Sequence, residues 1–349
     1  MLPIPISKRW IAFLATMGAA YYGWSNYTIQ GLQGIRVLPK NAAVSEVNSG
    51  SGLDPADRIA MIRPSSDGAS FLTSLPSVSS MEAPAIRVGT FNLHLFGSQK
   101  IAKPYVMEAL TKICRKFDVL AVQEIAGQEQ DLLPILVQKI NQSGRRFDYL
   151  IGPRVGSESH KTQLGFLFDT DRIETDRFQL YTVEDPGGLI ETEPLVAWFR
   201  TKTGNPKDAF TFTAVNVMIN PNRIDAEIRL LPELLESVHR DGRNEDDCLL
   251  LGDFQANDQQ LSFLRTAGLE FALLSIPTTT RGEAMTDNIL FPTHATDEYT
   301  GRSGVQDFLR EFNLPIDQAL EVSDHLPVWA EFFMNEGGQH GRVARSAIH

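Results

Sequence analysis

Carboxylates and carboxamides recur where the apolar runs of this 349-residue chain end. TFN stops at Asn92, VLAVQE at Gln123 and Glu124, LLLGDFQ at Asp253 and Gln255, and the turn ahead of LPVWAEFF carries Ser323, Asp324 and His325. TDNILF opens a further run with Asp287 and Asn288. Singly, each suits a turn, a helix cap or a solvated strand end. Together they form an oxygen-donor set without a thiol or histidine cluster, which suits Mg2+, Mn2+ or Ca2+ and does not suit zinc. Asp287 and His325 add a pairing in which a carboxylate fixes an imidazole tautomer and raises its basicity. A hard cation beside a cationic imidazole puts positive charge where negative charge develops in the transition state of phosphoryl chemistry.

Rigid elements must hold such groups. From Ile86 to about Met334, strand-like segments (AIRVGTFNL, FDVLAVQE, QLGFLFD, PLVAWFR, FTFTAVNV, CLLLGDF, DNILF, LPVWAEFF) alternate with helix-like ones (PYVMEALTKICRKF, DLLPILVQKINQ, DAEIRLLPELLESVHR, QLSFLRTAG). With no internal repeat, this pattern predicts one α/β domain. The run LLLGDFQAND poses a choice, because Asn or Asp ahead of the helical pattern in QQLSFLRTAG could simply cap it. Asn257 or Asp258 can do that alone. Asp253 falls too early for the cap, at the carboxyl end of a run that reads as buried on both faces, where α/β folds place ligand groups.

With 42% hydrophobic residues the chain can bury a core. Its net charge of -11 opposes static nucleic-acid binding through a basic footprint, but not an enzyme whose bound cation supplies positive charge locally. Cys114 and Cys248 read as two buried free thiols, with a single disulfide as the alternative. Lys8 and Arg9 precede the short apolar run WIAFLATMGAAYYGW, so residues 1–30 are expected to be a signal peptide or an N-terminal membrane anchor, with the domain exported from the cytoplasm or anchored outside it. The aromatics Tyr21, Tyr22, Trp24 and Tyr27 would suit a membrane interface, and a buried amphipathic helix is the alternative. Residues 31–84 read as a Ser/Gly/Pro-rich linker, 85–334 as the domain and 335–349 as a disordered tail.

At the polar strand ends the sequence resembles the endonuclease/exonuclease/phosphatase superfamily, and within it the deoxyribonuclease I-like branch. The resemblance runs from about Ile86 to Phe333. It rests on the order and spacing of TFNLHLFG, VLAVQEI, KTQLGFLFDTDRI, EPLVAWF, NVMINPNRIDAEI, LLLGDFQAND, TDNILF and SDHLPV, none of them specific alone. It implies a four-layer α/β sandwich, two central β-sheets flanked by helices, with the site at one end of the sheets. It implies metal binding by Glu124 with Asn92 and Asp324 close by, a water-orienting Asp253, a phosphate-holding Gln255, and an Asp287–His325 pair on the scissile phosphate. The implied activity is Mg2+- or Mn2+-dependent phosphodiester hydrolysis, with Ca2+ an alternative ion. DNA or another nucleic acid is the expected substrate, and no protein partner is implied. The alternatives are a phosphatase or phospholipase-type diesterase, and a catalytically weak module that binds a phosphodiester or a partner.

The departures from the family pattern are specific. Gln255 stands where the family usually has Asn. Met218 takes the place of a histidine that serves as general acid or base, and Thr162 that of the glutamate orienting it. The EPLV segment lacks an arginine often found before its proline. Methionine cannot donate a proton. His160, two residues before Thr162, and His94, two after Asn92, each share a strand face with those positions and are the candidate substitute acids. His94, Lys100, Lys103, Arg154 and Lys161 give modest support to a nuclease, although surface cations usually mark only a solvated face.

Overall fold

The computed structural model of the protein describes residues 84–338 apart from 130, 158–160, 184 and 186, together with the backbone of 27–30 and 36–39. The chain divides into two units, Met1–Ser77 and Val78–His349. In the first, β1 (Tyr27–Gln30) pairs antiparallel with β2 (Arg36–Pro39). These strands fall at the end of the expected leader and inside the expected linker, which otherwise lie outside the described residues but for Pro84.

Two sheets make up the second unit. The six-stranded sheet has the order β14 (Tyr299–Val305), β15 (Val328–Phe333), β3 (Ala85–Phe96), β4 (Val119–Ile125), β6 (Gln163–Asp169), β5 (Phe147–Ile151). The other runs β12 (Leu269–Phe271), β13 (Asp287–Pro292), β11 (Cys248–Asp253), β10 (Thr211–Met218), β9 (Leu195–Thr201), β7 (Ile173–Thr175), with β8 (Tyr181–Thr182) also on β9. Only β3–β4 and β10–β11 are parallel pairs among these. A parallel pair needs a crossover. Helix Pro104–Cys114 lies in the first crossover and Leu231–His239 in the second.

Strand periodicity decides which layer each side chain enters. Leu249 and Leu251 of β11 point inward to a core between the sheets, with Val88, Ala121, Phe166, Phe199, Phe212 and Ala214. Leu250, between them, faces outward and packs with Val215 and Val217 under Leu231, Leu234 and Val238. On the far side, Phe91, Leu120 and Val122 pack beneath Val106, Leu110 and Ile113. The result is the expected four-layer sandwich, helix, sheet, sheet, helix. Cys114 and Cys248 are free and buried. Residues 335–338, read from sequence as the start of a tail, are instead tied down: Asn335 bridges Ala209, and the Glu336 and Gly337 N–H groups donate to Asp208 O (3.0 Å) and Glu298 Oε1 (2.6 Å).

Gly252 sits next to the first candidate carboxylate with φ 153, and a Cβ there would lie 1.9 Å from Val217 O. Only glycine lets β11 close against β10 at the strand end that carries Asp253. Gly252→Ala is therefore expected to lower unfolding stability by about 2 kcal/mol or more. Gly204→Ala, a position with nothing within 4 Å of the new Cβ, should change it by less than ~0.5 kcal/mol. Denaturant unfolding of both variants checks this, and equal midpoints would contradict it.

Candidate active site

The carboxyl ends of the two parallel pairs meet at one end of the sandwich. β3 and β4 deliver Asn92, Gln123 and Glu124, while β10 and β11 deliver Met218 and Asp253, which are register partners. β13 begins at Asp287, opposite Asp253. The turn carrying Asp324 and His325 is pinned from two sides. Thr280 donates through N to Asp324 O (2.8 Å) and through Oγ1 to Ser323 O (2.7 Å), and Ser323 Oγ donates to Asn92 O (2.7 Å).

Asn92 is fully buried. Its Nδ2 donates to Glu124 Oε1 (3.0 Å) in its own sheet and to Asp253 Oδ2 (3.0 Å) in the other, and its Oδ1 accepts the His94 N–H (2.8 Å). A second buried amide pair lies behind it. Gln123 Nε2 donates to Asn216 Oδ1 (2.7 Å), and Asn216 Nδ2 donates to Val122 O (3.1 Å) and Gly165 O (3.0 Å). The sequence singled out Gln123 but not Asn216, which is hidden inside an apolar strand.

The backbone is bent where these groups emerge. His94, Leu95, Glu124 and Gln255 have φ of 48, 55, 55 and 52, four of the seven positive-φ non-glycine residues among those described. Such conformations cost about 1–3 kcal/mol each and persist where surrounding structure fixes them. Here the bend brings the Leu95 N–H to Glu124 Oε2 (2.8 Å).

Asp253 is buried, with each oxygen engaged: Gln255 Nε2 reaches both (3.0 and 2.8 Å), and the Gln255 N–H reaches Oδ1 (3.1 Å). Gln255, expected to hold phosphate, is thus folded back as a clamp on Asp253, which its extra methylene and left-handed backbone permit. Burial, then the charge of Asp287, pushes the Asp253 carboxyl well above the usual carboxylate range, against the pull of His325 and the two amides. The cap belongs to Asn257, whose Oδ1 accepts the Gln259 (3.1 Å) and Gln260 (3.0 Å) N–H groups. It caps a run of turns, since the helix itself covers only Phe263–Thr266.

Asp287 and His325 form the expected pair. Asp287 Oδ2 lies 2.8 Å from His325 Nδ1 and accepts the Thr278 (2.9 Å) and Thr286 (2.7 Å) hydroxyls. Burial works to lower the imidazole pKa, but Asp287, then Asp253 and Asp324, raise it to about 10. Its Nε2 faces a gap, 3.9 Å from Asp253 Oδ2 and 3.8 Å from Asp324 Oδ1. A protonated ring therefore carries an N–H free for an incoming oxygen.

The expected metal ligands face each other across an imidazole. His94 Nδ1 stands 3.0 Å from Asp324 Oδ1 and 4.0 Å from Glu124 Oε2. Burial works to raise the Asp324 pKa, but His94 and His325 hold it below the usual range. Asp324 Oδ1 is buried yet accepts no hydrogen bond of good geometry. Two carboxylates bracketing one imidazole, one with an oxygen still open, fit a hard divalent ion. Lys100, read as a surface cation, is buried: its Nζ donates to Leu93 O (2.7 Å) and Val322 O (2.8 Å), and burial lowers its pKa to about 8.

The endonuclease/exonuclease/phosphatase family model matches residues 89–325. The chain belongs to that family. It is 28% identical to deoxyribonuclease-1-like 1 of Sus scrofa, over 71% of this chain and 81% of that protein. It is 27% identical to deoxyribonuclease gamma of Homo sapiens, over 70% and 85% respectively. A solved structure, the human Nocturnin catalytic domain with bound sulfate anion, aligns at a TM-score of 0.49 and 15% identity, covering 72% of this chain and 94% of that one.

A cavity opens beside Asp253. About 750 Å³ in volume, it is lined by Glu124, Asp253, Gln255, Thr162 and Met218, among others. Met218 and Thr162 thus face one space. No imidazole lines it among the described residues; the His94 ring is turned to Asp324, and His160 lies outside them. Lys103 is paired with Glu321 (2.6 Å).

A sharp pH signature follows from the buried pair. Folding raises the His325 pKa from 6.5 to about 10. The stability it contributes is fully present below pH 6.5 and is lost as pH rises through about 10. Proton-detected titration of the imidazole should show His325 charged at pH 8. In Asp287→Asn it should titrate at least about two pH units lower. A neutral wild-type His325 at pH 7 would contradict the geometry described.

Proposed function

We propose that this chain is a divalent-cation-dependent phosphodiester hydrolase whose preferred ion is Mg2+ or Mn2+ and whose substrate is a nucleic acid. One observation carries the reading: a single amide, Asn92 Nδ2, holds the candidate ligand Glu124 and the candidate base Asp253 together. Across the gap from Asp253 stands a charged His325. Glu124 and Asp324, with Asn92 behind them, would hold the cation, which when bound supplies positive charge to a phosphoryl oxygen.

The protein's own groups account for the rest. Asp253, fixed by Gln255 and Asn92, accepts a hydrogen bond from the attacking water and takes its proton. His325 Nε2–H donates to a non-bridging phosphoryl oxygen and keeps its proton because Asp287 holds Nδ1–H. Among the described residues no imidazole lines the cavity beside Asp253, and Met218 and Thr162 hold the positions where the resemblance implies a histidine and its glutamate. A missing general acid costs about 10²- to 10⁴-fold on an alkoxide leaving group and far less on a nitrophenolate.

The experiment compares plasmid DNA with bis(4-nitrophenyl) phosphate under Mg2+, Mn2+ and EDTA. Expected is metal-dependent cleavage of the aryl diester, slow cleavage of DNA, and a loss of about 10²-fold or more in Asp253→Asn. Met218→His with Thr162→Glu should raise DNA cleavage alone. Brisk wild-type DNA cleavage that collapses in His160→Ala or His94→Ala would move the acid to that histidine. Preference for a phosphomonoester would favour a phosphatase, and metal binding without hydrolysis a binding module.

Lys8, Arg9 and the apolar run after them support export or membrane anchoring of the domain, with residues 31–84 as spacer. No helix among the described residues is long and apolar enough to cross a membrane. Fractionation of cells expressing the full chain should find the domain outside the cytoplasm, and soluble cytoplasmic protein retaining Met1 would refute this.

A further inference from the structure

A second acidic cluster lies at the other end of the sandwich. Asp247 immediately precedes β11, whose far end carries Asp253. Glu298 immediately precedes β14, and Glu336 follows β15. One carboxylate oxygen from each lies within 4.8 Å of the others, and Glu245 and Asp246 form an overlapping group with Asp247. Asp247 and Glu298 are 2% and 1% exposed, so neither is a solvated surface acid.

Their hydrogen bonding is incomplete. Asp247 Oδ1 and Glu298 Oε2 are buried and accept no hydrogen bond, and the Thr296 hydroxyl beside Asp247 has none of good geometry. The chain supplies some N–H groups elsewhere, from Gly337 to Glu298 Oε1 (2.6 Å) and from Thr211 to Glu336 Oε1 (2.7 Å). The strongest charged neighbours of each carboxyl are other carboxylates: Glu298, Glu336 and Asp246 for Asp247, Glu336 and Asp297 for Glu298, Glu245 and Asp246 for Glu336. Converging buried carboxylates with open oxygens must bind either protons or a cation.

We propose that Asp247, Glu298 and Glu336 form a structural Ca2+ site, separate from the catalytic centre, that ties the two sheets together at the end remote from it. Asp247 belongs to the β10–β11 sheet, and Glu298 and Glu336 flank β14 and β15 of the other. Three carboxylates in a buried pocket suit Ca2+, which takes six to eight oxygens in flexible geometry, better than Mg2+, which keeps most of its water. Without the ion, burial and mutual repulsion push Asp247 to about 8 and Glu298 to about 7.

A built-in reporter serves the test. Trp198 Nε1 donates to Glu245 Oε2 (3.0 Å), which places an indole against the cluster. The full chain carrying Glu124→Ala, which disables the catalytic ion site, should bind one Ca2+ by calorimetry. Its melting temperature should rise by at least about 4 °C at a hundred times Kd. Tb3+ should give indole-sensitised emission that Ca2+ displaces and that falls at least about ten-fold in Trp198→Phe, with Ca2+ heats retained. Adding Asp247→Asn and Glu298→Gln should abolish Ca2+ binding while leaving the metal-free melting temperature equal or higher, because repulsion is removed. No Ca2+ heat and no thermal shift in Glu124→Ala would overturn the proposal, showing that protons fill the cluster. Binding that survives the added substitutions would overturn it as well.

Discussion

One side-chain amide couples the two halves of this molecule. Asn92 Nδ2 bonds Glu124 across a parallel pair of one sheet and Asp253 at the strand end of the other. Behind it the sheets are joined by the Gln123–Asn216 amide pair and by an apolar core, which is non-directional and cannot fix two carboxylates to a fraction of an ångström. The Asn92 amide can, because its two hydrogens have defined directions and each meets a carboxyl oxygen at 3.0 Å. Its carbonyl then orders the last residues of β3, from which the His94 ring reaches Asp324 and Glu124.

The electrostatics explain why the arrangement is chemically poised. Asp253 and Asp287 are buried, and both depend on positive charge nearby. His325 supplies it within the trio, and Lys100 supplies it beside Asp324. A raised Asp253 carboxyl is a better proton acceptor than an ordinary aspartate, and a charged His325 with one free N–H is a fixed donor. The first comes from burial and the charge of Asp287, the second from Asp287, Asp253 and Asp324 prevailing over burial.

The central strands were legible in the sequence because burial on both faces makes continuous apolar runs such as CLLLGDF. The strands not foreseen in the second unit are β5, β7, β8, β12 and β14; apart from the short β8 on the flank of β9, all are sheet edges. Edges are half-solvated, so β14 (YTGRSGV) lacks the alternation that signals a strand. Among site residues, the polar strand ends and the Asp287–His325 pair were visible. The inward turn of Lys100, the clamp made by Gln255 and the seat of His94 were not, since each depends on a non-local partner. Asn216 left no signal, because one amide inside an apolar strand looks like an interruption. Residues 335–338 resembled a tail by composition, yet their backbone completes the sheet end.

The central claim is that Glu124 and Asp324 hold a divalent ion beside His94 and within reach of His325. Substoichiometric Mn2+ added during imidazole NMR tests it without any substrate. The account requires broadening of the His94 and His325 resonances in wild type and its disappearance in Glu124→Gln. Sharp His94 and His325 resonances at saturating Mn2+, or broadening that persists in Glu124→Gln, would contradict it.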